Sequence, residues 1–296
     1  YGASKMYIQS YLRKAFAVIR ITRYNSLQNQ VDSIEKRLSD GYLPDYYTGD
    51  WMSSHVSAIR NQTKVLNGVS FAFITDMHFA DNSKNSKYLL KEILDSTSVP
   101  FVICGGDYPV AYGDETMVRE AGSKLLDYQA YIGKDRFFSI RGNHDFTAKT
   151  SADAATGLTL PVADAYDYIC RLEEWHVGGM LPNHMCFWLD NAAQKTRIIC
   201  INSCDGQNED SSTPWGVYLR ITQQQIDWLV NEALDISGYH VIFISHVPAD
   251  PKLSSYSNTQ DALHGIMKAL KKKASYSASG SINVSVDYSN TDLDVI

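Results

Sequence analysis

Five short apolar runs in the sequence each end abruptly at polar residues. The runs are VSFAFIT, VPFVICGG, RFFSIRG, RIICINSC and YHVIFIS, and the residues that follow them are Asp76, Asp107, Asn143, Asp205 and His246. Runs that are apolar on both faces predict strands inside a helix-covered sheet. The segments SKYLLKEILDS, ETMVREAGSKLLDYQAYI and TQQQIDWLVNEAL, which lie between such runs, have the apolar spacing of amphipathic helices. The sequence therefore predicts an α/β fold.

The polar residues at the strand ends predict one shared site. In open α/β sheets, ligands gather beyond the carboxyl ends of the strands. Asp76 and His78 are two residues apart, so they would point to the same side if the strand geometry continued through them. Asp107 follows two glycines, which let the backbone turn sharply and approach a metal or phosphate closely.

The donor atoms at these strand ends favour a transition-metal site. Asn143 offers an amide oxygen, His144 and His246 offer imidazoles, and the aspartates offer carboxylates. Mixed oxygen and nitrogen donors suit manganese, iron, zinc or nickel better than calcium. No cysteine is among these strand-end residues, which argues against a structural zinc site. Each element taken alone is more often an ordinary polar residue, but their order along the chain is specific.

Four sequence blocks resemble those of the calcineurin-like metallophosphoesterase superfamily. They are the DMH that begins at Asp76, the GGD that ends at Asp107, the GNHD that begins at Gly142 and the SH that ends at His246. The resemblance covers residues 69–296. It implies a four-layer α/β/β/α sandwich of two mixed sheets flanked by helices. Residues 1–68 are predicted to form a separate N-terminal extension, with an amphipathic helix over residues 25–39 and a turn-rich connector.

The resemblance also implies a site with two divalent or trivalent metal ions, among which manganese, iron and zinc are favoured. The implied metal ligands are Asp76, His78, Asp107, Asn143 and His246. Asp76 and His78 would hold the first ion, Asp107 would bridge both, and the other two would hold the second.

The implied activity is hydrolysis of a small phosphate ester, either a monoester or a diester, by water that the two metals activate. His144 would face the substrate and stabilise charge or protonate the leaving oxygen, and Asp145 would orient His144. The segment RGNHD, which begins at Arg141, resembles a segment of the protein serine/threonine phosphatases. However, the sequence PVAYG stands after GDY, where those phosphatases have Asp-Arg-Gly. That departure disfavours protein phosphatase activity.

The superfamily normally completes its metal site with a Gly-His-x-His block, and this sequence contains none. His264 is followed rather than preceded by glycine and lies in a predicted helix, so a packing or surface role is favoured for it. The sequence stops at NTDLDVI, within a strand pattern, and we expect that the domain is incomplete at its C-terminus. A natural variant with an incomplete site is the alternative. It would be a catalytically silent binding module that uses its extension to bind a protein partner, whose nature is unknown.

The amino-acid composition makes nucleic acids and anionic membranes less favoured as binding partners. A net charge of −6 does not provide the basic surface that broad nucleic-acid or anionic-membrane binding needs, so a nuclease is disfavoured although metals can supply local positive charge. No apolar run is long enough to span a membrane. The five cysteines cannot all pair and are expected to be buried thiols. Because the chain begins at Tyr1, a removed signal peptide stays an alternative, and the compartment is left open with the cytoplasm favoured.

Several other residues receive less specific predictions. Surface or packing roles are expected for four histidines, which are His55, His176, His184 and His240. Asp205 is either a group near the site or a turn residue. Loop residues that line a pocket are expected to include Asp81, Tyr108 and Tyr112. The serine-rich ASYSASGS is expected to be a loop.

Overall fold

The computed structural model describes residues 49–65, 68–79, 86–108, 115–145, 177–205, 220–249 and 258–296. Predictions that lie outside these residues concern the helix over 25–39, Asp81, Tyr112, Cys170 and His176. The chain divides into two compact units, Tyr1–Ala58 and Ile59–Ile296. The division predicted between residues 68 and 69 stays a prediction.

The first sheet has three parallel strands. In spatial order they are β1 (Ala72–Ile74), β2 (Val102–Cys104) and β3 (Phe137–Ser139). Helix α1 (Gly49–Val65) precedes them, and α2 (Ser86–Ser96) and α3 (Glu115–Ile132) connect them. Because the strands are parallel, their carboxyl ends lie at one edge of the sheet. The predicted strands and helices of this part of the chain are confirmed.

The second sheet has five strands and is mixed. Its strands are β4 (Gly179–Leu181), β5 (Cys186–Asn191), β6 (Thr196–Ile201), β7 (His240–Ser245) and β10 (Asp294–Val295). The spatial order is β10-β7-β6-β5-β4, in which the pairs β10–β7 and β7–β6 are parallel and the other two are antiparallel. The carboxyl ends of β6 and β7 therefore share one edge, as predicted.

Besides two short 3₁₀-helices, Pro182–His184 and Ala192–Gln194, two helices and a hairpin complete the described fold. They are α4 (Gln223–Trp228, continued by a π-helical turn over Leu229–Ala233), α5 (Asn258–Lys272), β8 (Ser275–Ala278) and β9 (Val284–Asp287). The predicted capping box at α4 is confirmed, since the Thr222 side chain accepts from the Gln225 backbone and the Gln225 side chain accepts from the Thr222 backbone. The prediction of a loop over ASYSASGS is wrong for Ser275–Ala278, which form β8, because pairing with β9 overrides the weak strand preference of serine.

Two apolar cores define the layers. In β6, Ile198 and Cys200 belong to the core shared with the first sheet, whereas Ile199 and Ile201 belong to the core under α4 and α5. Phe138 and Phe187 join the two sheets, with ring centroids 6.1 Å apart. The side chains of α2 and α3 pack into the first core. This order of helix, sheet, sheet and helix confirms the predicted fold, except that the described first sheet is wholly parallel rather than mixed.

Two smaller predictions also concern these layers. The four cysteines among the described residues are buried and free, as expected: Cys104, Cys186, Cys200 and Cys204. Among the described helices, none is long and apolar enough to cross a membrane.

The contact between the sheets leads to a stability prediction. Phe187→Ala removes a fully buried ring from the core between the sheets, so we expect a loss of about 3–5 kcal/mol in the free energy of unfolding. Phe73→Ala is the matched control, because Phe73 is 46% exposed, and should cost less than half as much. Urea unfolding measures both. Equal losses would contradict the assignment of Phe187 to the core.

Candidate metal centre

The backbone leaves β1 and β2 in an unusual conformation. Asp76, His78 and Asp107 have positive φ angles of 55°, 43° and 61°. The Asp76 N–H donates to the Gly106 carbonyl at 3.0 Å, and the His78 N–H donates to the Asp107 carbonyl at 2.9 Å. The strand geometry does not continue through Asp76 and His78, because β1 ends at Ile74 and these bonds hold a turn instead. Strained backbone of this kind clusters at functional sites.

Two glycines let the loops after β2 and β3 touch. A Cβ on Gly106 would lie 2.6 Å from the Gly142 Cα, and the φ of Gly106 is +102°. A Cβ on Gly142 would lie 2.5 Å from the Asp107 nitrogen. These approaches exclude any side chain at either position. The loops therefore bring Asp107 against the GNHD segment.

Asp107 lies at the centre of the site. Its side chain is 3% exposed, and its Oδ1 lies 3.4 Å from the Nε2 of His246. The same Oδ1 accepts from the His144 backbone N–H at 2.8 Å. Its Oδ2 lies 3.9 Å from the Nε2 atoms of both His78 and His144. The two oxygens of the carboxylate therefore face different imidazoles, and the bridging role predicted for Asp107 stays a prediction.

The orientation of His246 fits a metal ligand. Its Nδ1 donates to the Gly105 carbonyl at 2.8 Å, and its Nε2 lies 2.8 Å from Asn143 Oδ1. Because Nδ1 is held by a carbonyl, Nε2 is the ring nitrogen that is directed at the predicted ligands Asn143 and Asp107.

The donor atoms form two overlapping groups. One contains His78, Asp107 and His144, the other contains Asp76, Asp107 and His246, and the ligand atoms within each group lie within 4.8 Å of one another. The Oδ1 atom of Asp76 also lies 3.9 Å from the Nε2 atom of His78. The structure thus brings all five predicted ligands to one edge of the sheets. The predicted division of these ligands between two ions stays a prediction.

Asp145 holds the backbone of the site. Its carboxylate accepts from the N–H groups of Asp107 at 3.0 Å, Tyr108 at 2.9 Å and Gly142 at 2.6 Å. Burial, and then the negative charge of Asp107, raise the pKa of Asp145 to about 6, although these backbone bonds oppose the shift. The role predicted for Asp145, orienting His144, stays a prediction.

His144 lies beside the ligand groups and is 23% exposed. Its ring meets that of His78 edge to face, with centroids 4.8 Å apart. Burial lowers the pKa of His144, and the charge of Asp107 opposes this. The geometry accommodates either a metal ligand or a group that contacts the substrate.

Sequence reasoning missed a buried pair near this edge. His184, predicted as a surface or packing residue, bonds through Nδ1 to the carboxylate of Asp205 and through Nε2 to Gln224 Oε1. Asp205 is fully buried, and the two roles predicted for it, a group near the site or a turn residue, stay predictions. Asp205 could be singled out in the sequence because it follows the fourth apolar run, which forms β6. No sequence pattern indicated a role for His184.

The structure also bears on the predictions for four other residues. Tyr108 does not line a pocket, because its side chain is buried and its hydroxyl donates to the Ile140 carbonyl at 2.9 Å. His55 and His240 are exposed, as expected. His264 lies on α5 and its Nδ1 donates to the Ala249 carbonyl at 2.8 Å, in keeping with the packing role predicted for it.

The contact between the loops leads to a prediction for metal binding. Gly142→Ala should weaken Mn²⁺ binding by at least about tenfold, because the added methyl group displaces the backbone of Asp107. Gly68→Ala is the control, since a Cβ there meets nothing within 4 Å. Isothermal titration calorimetry measures both affinities. An unchanged affinity in Gly142→Ala would show that the loop contact does not support the ligands.

Comparisons with known proteins identify the family. A model of the calcineurin-like phosphoesterase family matches residues 69–274. One similar solved structure is a dimetal phosphatase from Danio rerio, with 14% sequence identity, a TM-score of 0.43, and coverage of 73% of this chain and 86% of that chain. No curated protein matches the chain. Because the family match spans most of the chain, this protein belongs to the calcineurin-like phosphoesterase family.

Proposed function

We propose that this protein is a metal-dependent hydrolase of phosphoric monoesters or diesters. The observation that carries the proposal is the position of Asp107, a buried carboxylate whose two oxygens face imidazoles from different loops. A carboxylate in this position fits a pair of cations, and the surrounding oxygen and nitrogen donors suit manganese, iron or zinc. The residues that would hold the ions are Asp76, His78, Asp107, Asn143 and His246.

The ions, when bound, would lower the pKa of a water molecule and neutralise charge on the phosphoryl oxygens. The protein's own residues hold the ligands in place before substrate arrives. Asp145 fixes the backbone on both sides of the Asp107 and Gly142 contact. Gly105 fixes the ring of His246 through its carbonyl oxygen. This preorganisation means that little rearrangement accompanies the reaction.

His144 supplies a proton to the leaving oxygen of the ester. Its backbone N–H is anchored on Asp107 Oδ1, so the imidazole stays beside the ligand groups. Partial exposure of the ring leaves it accessible to a substrate. A positioned general acid of this kind contributes about 10²–10⁴-fold to the rate.

We predict that the purified protein hydrolyses p-nitrophenyl phosphate or bis(p-nitrophenyl) phosphate after Mn²⁺ is added and that EDTA abolishes the activity. Asp107→Asn should remove most Mn²⁺ binding and the activity, because the amide lacks the charge that two cations require. Release of p-nitrophenol, followed by absorbance, measures the rate. A full-length preparation that binds no metal and hydrolyses neither ester would contradict the proposal and favour the silent binding module.

We also predict that His144→Ala lowers kcat by about 10²–10⁴-fold while the Mn²⁺ content of the protein is unchanged. The loss should be larger for phenyl phosphate than for p-nitrophenyl phosphate, because the poorer leaving group depends more on proton donation. His264→Ala is the control and should behave like the wild type. If His144→Ala instead loses an ion in elemental analysis, His144 is a metal ligand and the assigned role is wrong.

A further inference from the structure

The loop that carries His246 is attached to the second sheet by a serine hydroxyl. The parallel pairing of β6 with β7 ends at the partners Ile201 and Ser245. Two residues further along each segment, the backbone N–H of Val247 donates to the Oγ of Ser203 at 2.8 Å. The side chain of Ser203 therefore continues the attachment between the two segments beyond the last pair of the ladder.

This hydrogen bond acts on the backbone of His246 itself. The Val247 N–H and the His246 Cα belong to one planar peptide group, so fixing the N–H fixes the direction in which the chain leaves His246. The carbonyl of Val247 accepts from the Oγ of Ser245 at 2.8 Å. Two serine hydroxyls thus hold the backbone directly after the predicted ligand.

The imidazole of His246 is held separately, by the first sheet. Its Nδ1 bonds to the Gly105 carbonyl at 2.8 Å, and its Nε2 lies 2.8 Å from Asn143 Oδ1 and 3.4 Å from Asp107 Oδ1. The ring and the backbone of one residue are therefore anchored on different sheets. Because the side chain of histidine is short, a shift of its backbone would move Nε2 relative to the other donor atoms.

The loop that contains Ser203 is itself fixed. Ser203 and its neighbour Asn202 are fully buried. The Asn202 carbonyl accepts from Gln225 Nε2 at 2.7 Å, and the Asn202 Oδ1 accepts from the Cys204 N–H at 3.0 Å. Gln225 also belongs to the capping box of α4. The start of α4 therefore fixes the loop from which the Ser203 hydroxyl reaches Val247.

We propose that Ser203 is a positioning residue for the metal centre, whose hydroxyl fixes the backbone of His246 so that the imidazole meets Asp107 and Asn143. The inference rests on the proposed function, in which these three residues hold a cation. Ser203 acts through the backbone of the next segment and not on the ions. An N–H that loses its acceptor must find another partner, so loss of the hydroxyl should displace the loop that carries His246.

The chain contains a matched hydroxyl that lacks this role. Thr196 begins β6, at the opposite end of the strand from Ser203, and is 4% exposed. Its Oγ1 donates to the Gln194 carbonyl at 3.1 Å, so it too bonds the backbone. Thr196→Val removes the hydroxyl and keeps the shape of the side chain. This change should cost stability without disturbing the metal centre.

The test compares Ser203→Ala with Thr196→Val in the full chain. Both should lower the melting temperature, because each loses a side-chain hydrogen bond to the backbone. Only Ser203→Ala should weaken Mn²⁺ binding, by about 10–100-fold, as the loss of contacts that orient a ligand does. Isothermal titration calorimetry measures the affinity. In the metal-free protein, hydrogen–deuterium exchange over residues 245–249 should become faster in Ser203→Ala alone.

Two further measurements separate positioning from stability. In Ser203→Ala, the Mn²⁺ concentration that gives half-maximal hydrolysis should rise by about 10–100-fold, while kcat at saturating Mn²⁺ stays close to the wild-type value, because bound metal restores the place of the imidazole. Ser203→Cys puts a weaker acceptor at the same position, and a cysteine sulfur already accepts the N–H of Asn202 at 3.4 Å. Mn²⁺ affinity should therefore be higher in Ser203→Cys than in Ser203→Ala.

Three outcomes would overturn the inference. The first is equal Mn²⁺ affinity in Ser203→Ala and Thr196→Val, with unchanged exchange over residues 245–249. The second is an equal loss of Mn²⁺ affinity in Ser203→Ala and Ser203→Cys, which would make packing rather than the accepted hydrogen bond responsible. In both cases the wild type still binds Mn²⁺, so the proposed function survives. The third is a wild type that binds no Mn²⁺, which overturns both.

Discussion

The architecture of the site depends on one buried carboxylate. Asp107 ends a strand of the first sheet, is almost fully excluded from water, and directs its two oxygens toward imidazoles that come from three other loops. A buried carboxylate among neutral groups is unfavourable unless cations or hydrogen bonds compensate its charge. Here one backbone N–H provides part of that compensation, and bound cations would provide the rest.

The backbone around Asp107 is under strain that the neighbouring structure supports. Three predicted ligands have positive φ, and the loops after β2 and β3 approach too closely for any residue except glycine at 106 and 142. Asp145 compensates by accepting three backbone N–H groups of these loops. Arg141 adds to this support, because its Nη2 donates to the Asp145 carbonyl at 3.4 Å. The loops that carry the predicted ligands are thus held together by hydrogen bonds to Asp145.

Much of this arrangement could be predicted from the sequence, because apolar periodicity determines strands and helices and parallel strands bring their carboxyl ends together. Asp76, Asp107, Asn143 and His246 were expected at one edge for that reason, and the structure places them there. Finer geometry depends on contacts between distant segments, which local patterns do not encode. The left-handed turn at Asp76 and the burial of Tyr108 are of this kind. His184 was missed for the same reason, since its partner Asp205 is 21 residues away.

The central claim is that Asp107 bridges two cations, and electron paramagnetic resonance of the protein loaded with two equivalents of Mn²⁺ tests it most directly. Two-metal sites hold their ions about 3.5–4 Å apart, close enough for the electron spins to couple through a shared carboxylate. The account predicts the multiline spectrum of an exchange-coupled pair. A spectrum of isolated Mn²⁺ ions, with six hyperfine lines and an intensity that accounts for all the bound metal, would contradict it.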